Sequence, residues 1–483
     1  MSTFNHLLRN STLSFTTSVV TKSVNAAAFI LIARASGAHL AGIFSLGTTY
    51  LVIFMAAGWG LDELMIRQVA RDRSTSAQYF GAFLGLRLLV ACAAYGLMYL
   101  VVGRAMHYAP TTSAPILVLG LSMIPDSLGN VGQALLNAHE RFDVPLIAGV
   151  SSSLVKLGVG FGAVAFGSGL TGIAWAWVAG SSLGAAILLV FAARLARPFQ
   201  PRCWLERAFW FENLGLALPF LTIGFLVTIE YQMDVIILSA VRDETEVGWY
   251  GAVTTIIFAL TLIPQGYRAA VYPLMARYRQ SEPSKLAHLY EQSIFYLGAL
   301  ALPMATGLAL LSRSVIFLLY KPGFSGAILP LQIVSWFLVF NYLNPPNSRM
   351  MLVHDRQKTL SIFLAASMVV NIVLNLLLDP TLGVVGASLA RVYSALVFFV
   401  INDIFVSRCI QPHNVLRSLA KPILATVLMA TAVWMVKDAN LWLAILVGVV
   451  VYAGALLLLR GITAEERRWL AGIRRARAKI NRG

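Results

Sequence analysis

Runs of about twenty mostly apolar residues recur from one end of this chain to the other, each closed by a short polar segment. A helix of that length crosses the ~30 Å hydrocarbon layer of a bilayer. The pattern therefore predicts an all-α polytopic membrane protein. It gives fourteen spans: about 11–33, 40–64, 79–101, 113–136, 145–166, 171–193, 213–238, 247–275, 290–311, 325–346, 359–378, 383–406, 419–436 and 441–459. The loops between them are short, and none is large enough to house a folded external domain.

The pattern also repeats. Gly42-Ile-Phe-Ser-Leu-Gly-Thr48-Thr49 returns as Gly248-Trp-Tyr-Gly-Ala-Val-Thr254-Thr255. At the same offset Gly60 meets Gly266, and Ala70-Arg71 meets Ala276-Arg277. Further on, His139-Glu140-Arg141 matches His354-Asp355-Arg356, and Gly169, Gly172 and Ala176 match Gly383, Gly386 and Ala390. Such an ordered series predicts duplicated six-helix lobes. Six is even, so the copies share topology and relate by a pseudo-twofold along the membrane normal, an arrangement used by alternating-access transporters. The expected divisions are an N-terminal lobe at 1–193, a linker at 194–212, a C-terminal lobe at 213–407, two extra spans within 408–460, and a tail at 461–483.

Composition agrees: 58 % of residues are hydrophobic and 12 % charged, about half the charge of a soluble domain. The net charge of +16 would suit a nucleic-acid binder, but its distribution excludes one. Lys and Arg gather in the N-terminus, the even-numbered loops, the linker and the tail, which is the positive-inside pattern. Both termini are thus expected in the cytoplasm, which requires an even number of spans. In the tail, Thr463 and Glu466 form a capping box, and Trp469, Ile473, Ala476 and Ile480 make an apolar stripe beside a row of arginines. That predicts an interfacial helix on anionic lipid. The first ten residues are polar and the first span is too polar for a signal h-region, so no cleaved leader is expected. Cys92, Cys203 and Cys409 show no metal or disulfide spacing. With no P-loop either, neither metal, cofactor nor nucleotide chemistry is expected.

Polar residues inside the spans carry the functional argument. Ser11, Ser14, Ser18, Lys22 and Asn25 follow one another at steps of three or four on the first span, sharing a helix face. Lys22 stands too near mid-depth to snorkel. Span 4 carries Asp126, Asn130, Gln133 and Asn137; span 5 carries Ser152 and Lys156; span 11 carries Ser367, Asn371 and Asn375. Arg87, Arg268 and Arg391 lie in spans 3, 8 and 12, and Glu230 and Asp234 in span 7. Each has a plainer reading. Asparagines glue helices together, arginines near span ends reach headgroups, and the acids Asp126, Glu230 and Asp234 can pair with nearby bases. Yet each unpaired charge in the membrane costs ~2.5–3.5 kcal/mol, and a water-filled cavity removes that cost for all of them. The expectation is a central cavity between the halves, made positive by Lys22 and Lys156, with Arg268, Arg391 and Arg87 as further cations. Ser18, Asn25, Asn130, Ser152, Asn371 and Asn375 would line it. Asp126, Glu230 and Asp234 are the candidates for coupling to H+ or Na+.

Five segments resemble a known family: ARASGAHLAGIFSLGTTY (33–50), GWGLDELMIRQVAR (58–71), YQMDVIILSAVRDETEVGWYGAVT (231–254), YPLMARY (272–278) and NIVLNLLLDPTLGVVGASLARV (371–392). They are similar to the Wzx-like polysaccharide-export flippases of the multidrug/oligosaccharidyl-lipid/polysaccharide superfamily, over about residues 10–407. The resemblance implies a two-lobed bundle in the bacterial inner membrane that is not an enzyme. The implied activity moves undecaprenyl-diphosphate-linked oligosaccharides to the outer leaflet for exopolysaccharide or O-antigen assembly, beside a polymerase and chain-length proteins. Asp234 falls at an acidic position familiar from the family, and Asn371 and Asn375 at its asparagine pair. Two alternatives stay open: a cation-coupled multidrug exporter, which Glu230 and Asp234 would suit, and a membrane glycosyltransferase or polymerase acting on the same lipid.

Overall fold

The structure is a computed structural model that describes residues 2–197 and 207–459. The tail 461–483 and residues 198–206 of the linker lie outside the described residues, as do the side chains of Ser18 and Arg268. The described chain is helical throughout, in the order α1 (Ser2–Met55), α2 (Trp59–Arg71), α3 (Ser76–Leu100), α4 (Pro110–Gly120), α5 (Met123–Ala138), α6 (Asp143–Ala165), α7 (Gly169–Leu195), α8 (Arg207–Val241), α9 (Glu244–Leu260), α10 (Leu262–Ser281), α11 (Pro283–Leu310), α12 (Ser312–Leu319), α13 (Ile328–Val334), α14 (Phe337–Val353), α15 (Gln357–Leu382), α16 (Val384–Cys409), α17 (Val415–Val436) and α18 (Leu441–Leu458).

Thirteen continuous helical segments among the described residues are long and apolar enough to cross a membrane. The first of them, Val19–Met55, contains a break. Gly37 adopts φ 82°, ψ −179°, a backbone that favours glycine. An unbroken α1 would run about 80 Å, more than twice a bilayer, so the break divides it into two crossings. That restores the expected fourteen. Large apolar side chains face outward along these helices, Phe161 at 65 % exposure among them. In water such a surface would aggregate; in lipid it is solvated. This is a multi-pass membrane protein.

Two expected spans are interrupted. Span 4 is built from α4 and α5, which meet at a turn over Leu121–Ser122, and span 8 from α9 and α10, which meet at Thr261. In both, the new helix begins two residues before a proline, Pro125 and Pro264. Proline lacks the N–H that an uninterrupted helix needs, but a first helical turn does not use it.

The chain packs as two compact units. The first comprises α1–α9 with residues 319–330 and 368–390. Its core joins Leu61, Leu64 and Met65 of α2 to Phe83 of α3 and Leu135 of α5. Here the internal repeat meets itself, because the second half of α1 crosses α9 at Gly42 and Gly248. A Cβ on Gly42 would fall 1.7 Å from the Glu244 carbonyl oxygen, and one on Gly248 2.0 Å from that of Ala38. Only hydrogen fits at either position.

The second unit comprises residues 263–318, 331–367 and 391 onward. Tyr290 and Ile294 of α11, Met351 of α14 and Val406 of α16 form its core. The hairpin of α17 and α18 packs on α11, where the Tyr452 hydroxyl donates to the Ala299 carbonyl at 2.6 Å. A buried polar network crosses this unit. The Tyr290 hydroxyl donates to Asn347 Oδ1 at 2.5 Å, while His413 Nε2 lies 2.9 Å from both Tyr290 Oη and Asp403 Oδ1.

The repeated His-acid-Arg corners close α5 and α14 in the same way. Glu140 and Asp355 are both left-handed, at φ 59° and 57°. Arg141 N–H donates to Leu136 O and Arg356 N–H to Met351 O, each at 2.9 Å, the six-to-one bond of a Schellman motif. The corners hold turn geometry in both units.

Candidate functional site

Within the first unit, α1, α5, α6 and α7 enclose a polar cavity of about 420 Å3. Its polar lining comes from Lys22, Asp126, Asn130, Gln133, Ser152 and Ser181. The helices approach closely because α7 presents glycine where α6 presents its polar face: a Cβ on Gly180 would come within 2.7 Å of the Ser152 carbonyl oxygen. Helical spacing on three separate spans thus converges on one chamber. Among the described residues, those that line it all fall within 17–188, so it lies within the N-terminal helices, whereas the sequence predicts a cavity between the halves. Lys156, one turn after Ser152, stands beside it. Its ammonium lies 5.0 Å over the Trp177 ring, a cation–π contact, and within electrostatic reach of Asp126. Lys22, Lys156 and Asp126 thus place two ammonium groups and one carboxylate in or beside this hollow. Hydroxyls, amides and ammonium groups in a membrane-embedded hollow can bind a hydrated anion or a sugar-bearing one.

A second cluster of the first unit surrounds Asp234 on α8. Asp234 is fully buried. Its carboxylate accepts a hydrogen bond from the Tyr250 hydroxyl of α9 and another from Asn375 Nδ2 at 3.1 Å. The same Asn375 amide donates to the Asn371 main-chain carbonyl at 2.8 Å. One turn further along α15, Asp379 is also fully buried, and neither of its carboxylate oxygens has a hydrogen-bond partner; the Asn375 Oδ1 oxygen is likewise without a donor. Asp234 and Glu246 both repel the charge on Asp379, and Arg242 attracts it. The Arg242 guanidinium is committed to the main-chain oxygens of Asp379 (3.1 Å) and Pro380 (2.8 Å). Glu246 caps the start of α16, accepting from Val384 N–H at 2.7 Å. Asp379 thus brings a buried carboxylate without a hydrogen-bond partner into a nest of oxygens that includes Asp234 and Glu246, with Arg242 Nε 3.9 Å from Glu246 Oε1. Such a nest takes up a proton or a small cation.

Asp379 went unseen in the sequence because it abuts Pro380, where the span was expected to have ended. Its signal was available: Asn371, Asn375 and Asp379 follow each other at steps of four, one unbroken stripe.

The remaining candidates lie elsewhere. Arg87 is 1 % exposed and pairs with Asp62 at 2.5 Å, apart from the polar cavity. Arg391 belongs to the second unit, buried with its guanidinium 5.9 Å from the Phe337 ring. Glu230 is half-buried one turn before Asp234. Asn25 is exposed and outside the cavity. A step of three from Lys22 swings a side chain ~60° back around the helix, enough to carry Asn25 off the cavity face. Among the described residues, no group of three or more His, Cys, Asp or Glu is placed to hold a metal ion.

A family model described as polysaccharide biosynthesis protein matches residues 51–329. The chain belongs to this family. No curated protein matches the sequence, but solved structures share the fold. The inward closed conformation of the lipid II flippase MurJ is similar over 94 % of this chain and 99 % of its own, with a TM-score of 0.77 and 14 % identity. An inward-facing MATE family multidrug resistance transporter of the MOP superfamily is similar over 82 % and 98 %, with a TM-score of 0.67 and 16 % identity. A MOP superfamily transporter from Pyrococcus furiosus, noted for the reverse polarity of its binding pocket, covers 83 % and 95 % at a TM-score of 0.57 and 17 % identity. At these identities the likeness establishes the architecture: this polysaccharide biosynthesis family member has the helical fold of that superfamily.

Proposed function

We propose that the protein is a flippase that carries undecaprenyl-diphosphate-linked oligosaccharides across the bacterial inner membrane by alternating access, supplying surface polysaccharide synthesis. The observation that carries this reading is the convergence of Lys22, Asn130 and Ser152 on one polar cavity inside a lipid-facing bundle. A diphosphate needs cations and sugars need amides and hydroxyls, while the prenyl chain needs only lipid. Family membership and the fold shared with a lipid II flippase support the same class of cargo. In this reading both termini are cytoplasmic, and a polymerase with its chain-length proteins takes up the product. The nest around Asp234 and Asp379 couples transport to H+ or Na+ by filling and emptying as the protein alternates.

The test is flipping of a fluorescent undecaprenyl-diphosphate oligosaccharide in vesicles, read as the fraction accessible to an external quencher. Lys22→Gln should slow flipping roughly tenfold or more, the worth of one charge-assisted contact, at equal protein incorporation. Wild-type rates in that variant would remove the cavity from the mechanism. The second reading, a cation-coupled exporter of small molecules, is favoured by the acidic nest alone. It predicts gradient-dependent efflux of lipophilic cations and no movement of the prenyl-linked probe.

A further inference from the structure

A different hollow of the first unit, about 250 Å3, lies between the outer parts of α1, α6 and α7. Its walls are apolar, with Leu31, Ile32, Leu157, Phe161 and Ile173 among them. Among the described residues that line it, the charged ones are Arg34, Lys156 and Lys321. Leu31 and Phe161 stand at its mouth, 44 % and 65 % exposed; in a bilayer, side chains so placed touch hydrocarbon. The slot therefore opens to lipid while its rim is cationic.

Lys156 links this slot to the polar cavity. It lines the slot, packs on Trp177 and answers electrostatically to Asp126 in the cavity wall. A molecule that is apolar at one end and anionic at the other meets both environments at this one side chain. We propose that the slot seats the isoprene units next to the diphosphate of the polyprenyl-linked substrate, with the diphosphate at Lys156, where the slot meets the cavity that holds Lys22, and with Arg34 and Lys321 adding positive charge at the rim. This rests on the flippase reading above. At ~30 Å3 for each water-sized group, the slot admits roughly eight carbon-sized groups, enough for the one or two isoprene units nearest the diphosphate. Gly160 leaves its floor open, since a Cβ there would have Ala176 Cβ, at 4.0 Å, as its nearest neighbour.

The experiment uses the full chain in lipid nanodiscs and a polyprenyl diphosphate carrying a diazirine on the isoprene nearest the diphosphate. Crosslinks are mapped by mass spectrometry, with a diazirine phosphatidylglycerol run in parallel. The expected result is prenyl labelling of the α1 and α6 segments around Leu31 and Phe161. Gly160→Leu should reduce it about tenfold, since excluding two methylenes costs that much binding. The paired surface change Arg34→Ala with Lys321→Ala should reduce it similarly through charge, which keeps the test valid if Gly160→Leu fails to fold. Prenyl labelling elsewhere on the protein with a clean slot overturns the slot and leaves the flippase reading intact. No prenyl labelling anywhere, in a protein that does not flip the lipid-linked probe, overturns both. Equal phosphatidylglycerol labelling that unlabelled polyprenyl diphosphate cannot displace makes the slot a site for bulk lipid and also overturns it.

Discussion

Arg87 is the cation whose removal separates a structural role from a transport role most sharply. Its guanidinium is 1 % exposed and lies 2.5 Å from Asp62, whose side chain is 18 % exposed. Breaking a buried pair by removing one partner costs ~3–5 kcal/mol, because the other charge is left in low dielectric. The two halves of this pair are not equivalent. Arg87→Met strands a carboxylate that is less completely enclosed than the guanidinium, at 18 % against 1 % exposure, so its cost belongs near ~3 kcal/mol. Asp62→Asn strands a guanidinium whose Nε already has no hydrogen-bond partner, so its cost belongs near ~5 kcal/mol. Changing both together, Arg87→Met with Asp62→Leu, removes the charges at once and recovers most of the loss, since apolar replacement of a buried pair is close to neutral. The assay is unfolding of the full chain in detergent, with each variant also scored for flipping per folded molecule. The expected order of stability is wild type, double variant, Arg87→Met, Asp62→Asn. A fully stable Arg87→Met that has lost flipping would refute the assignment and return Arg87 to the substrate path. A double variant no better than either single one would refute the pairing itself.

Three further outcomes follow from other parts of the molecule. Asp379→Asn keeps the shape of the acidic nest and removes one charge. Vesicle flipping in this variant should lose its response to proton or sodium gradients, a coupling worth roughly 5–150-fold, while binding of the prenyl-linked probe is retained. His413 sits outside the spans: burial pushes its pKa down, but hydrogen bonds to Asp403 and the Gln411 carbonyl outweigh that and hold it above the usual histidine value. A raised pKa in the folded state means the contribution is complete below about pH 6.5 and fades as pH climbs through the folded value. Stability of the wild type should thus fall over that climb, and His413→Gln should flatten the profile in thermal unfolding scans across pH. Gly248→Val forces a side chain into a contact that admits only hydrogen, and overpacking of this kind costs ~1–3 kcal/mol; a calorimetric Tm unchanged from wild type would contradict the crossing.

The helices and their number were readable because a bilayer fixes how long an apolar run must be, and the duplicated corners were readable because Glu140 and Asp355 keep the same place after the same helix. Convergence of Lys22, Asn130 and Ser152 followed from periodicity on three separate spans. Periodicity names a face, however, and not what the face meets. Arg87 and Asp62 each look like an isolated membrane charge, and only packing of α2 against α3 joins them. Lys156 has the spacing of a cavity residue, yet its ammonium lies over Trp177, contributed by a different helix. Asp379 was hidden by Pro380, a residue that ends spans in most settings but here sits within the last turns of α15.

Gly42 and Gly248 occupy the same place in the two copies of the duplicated sequence, and each is the other's neighbour. Matching segments of a repeat are ordinarily free to change one without the other. At this crossing that freedom is absent, because enlarging either residue collides with the backbone of the opposite copy. The two halves are bound to change together there, so kinship between them should outlast their divergence longest where α1 and α9 touch.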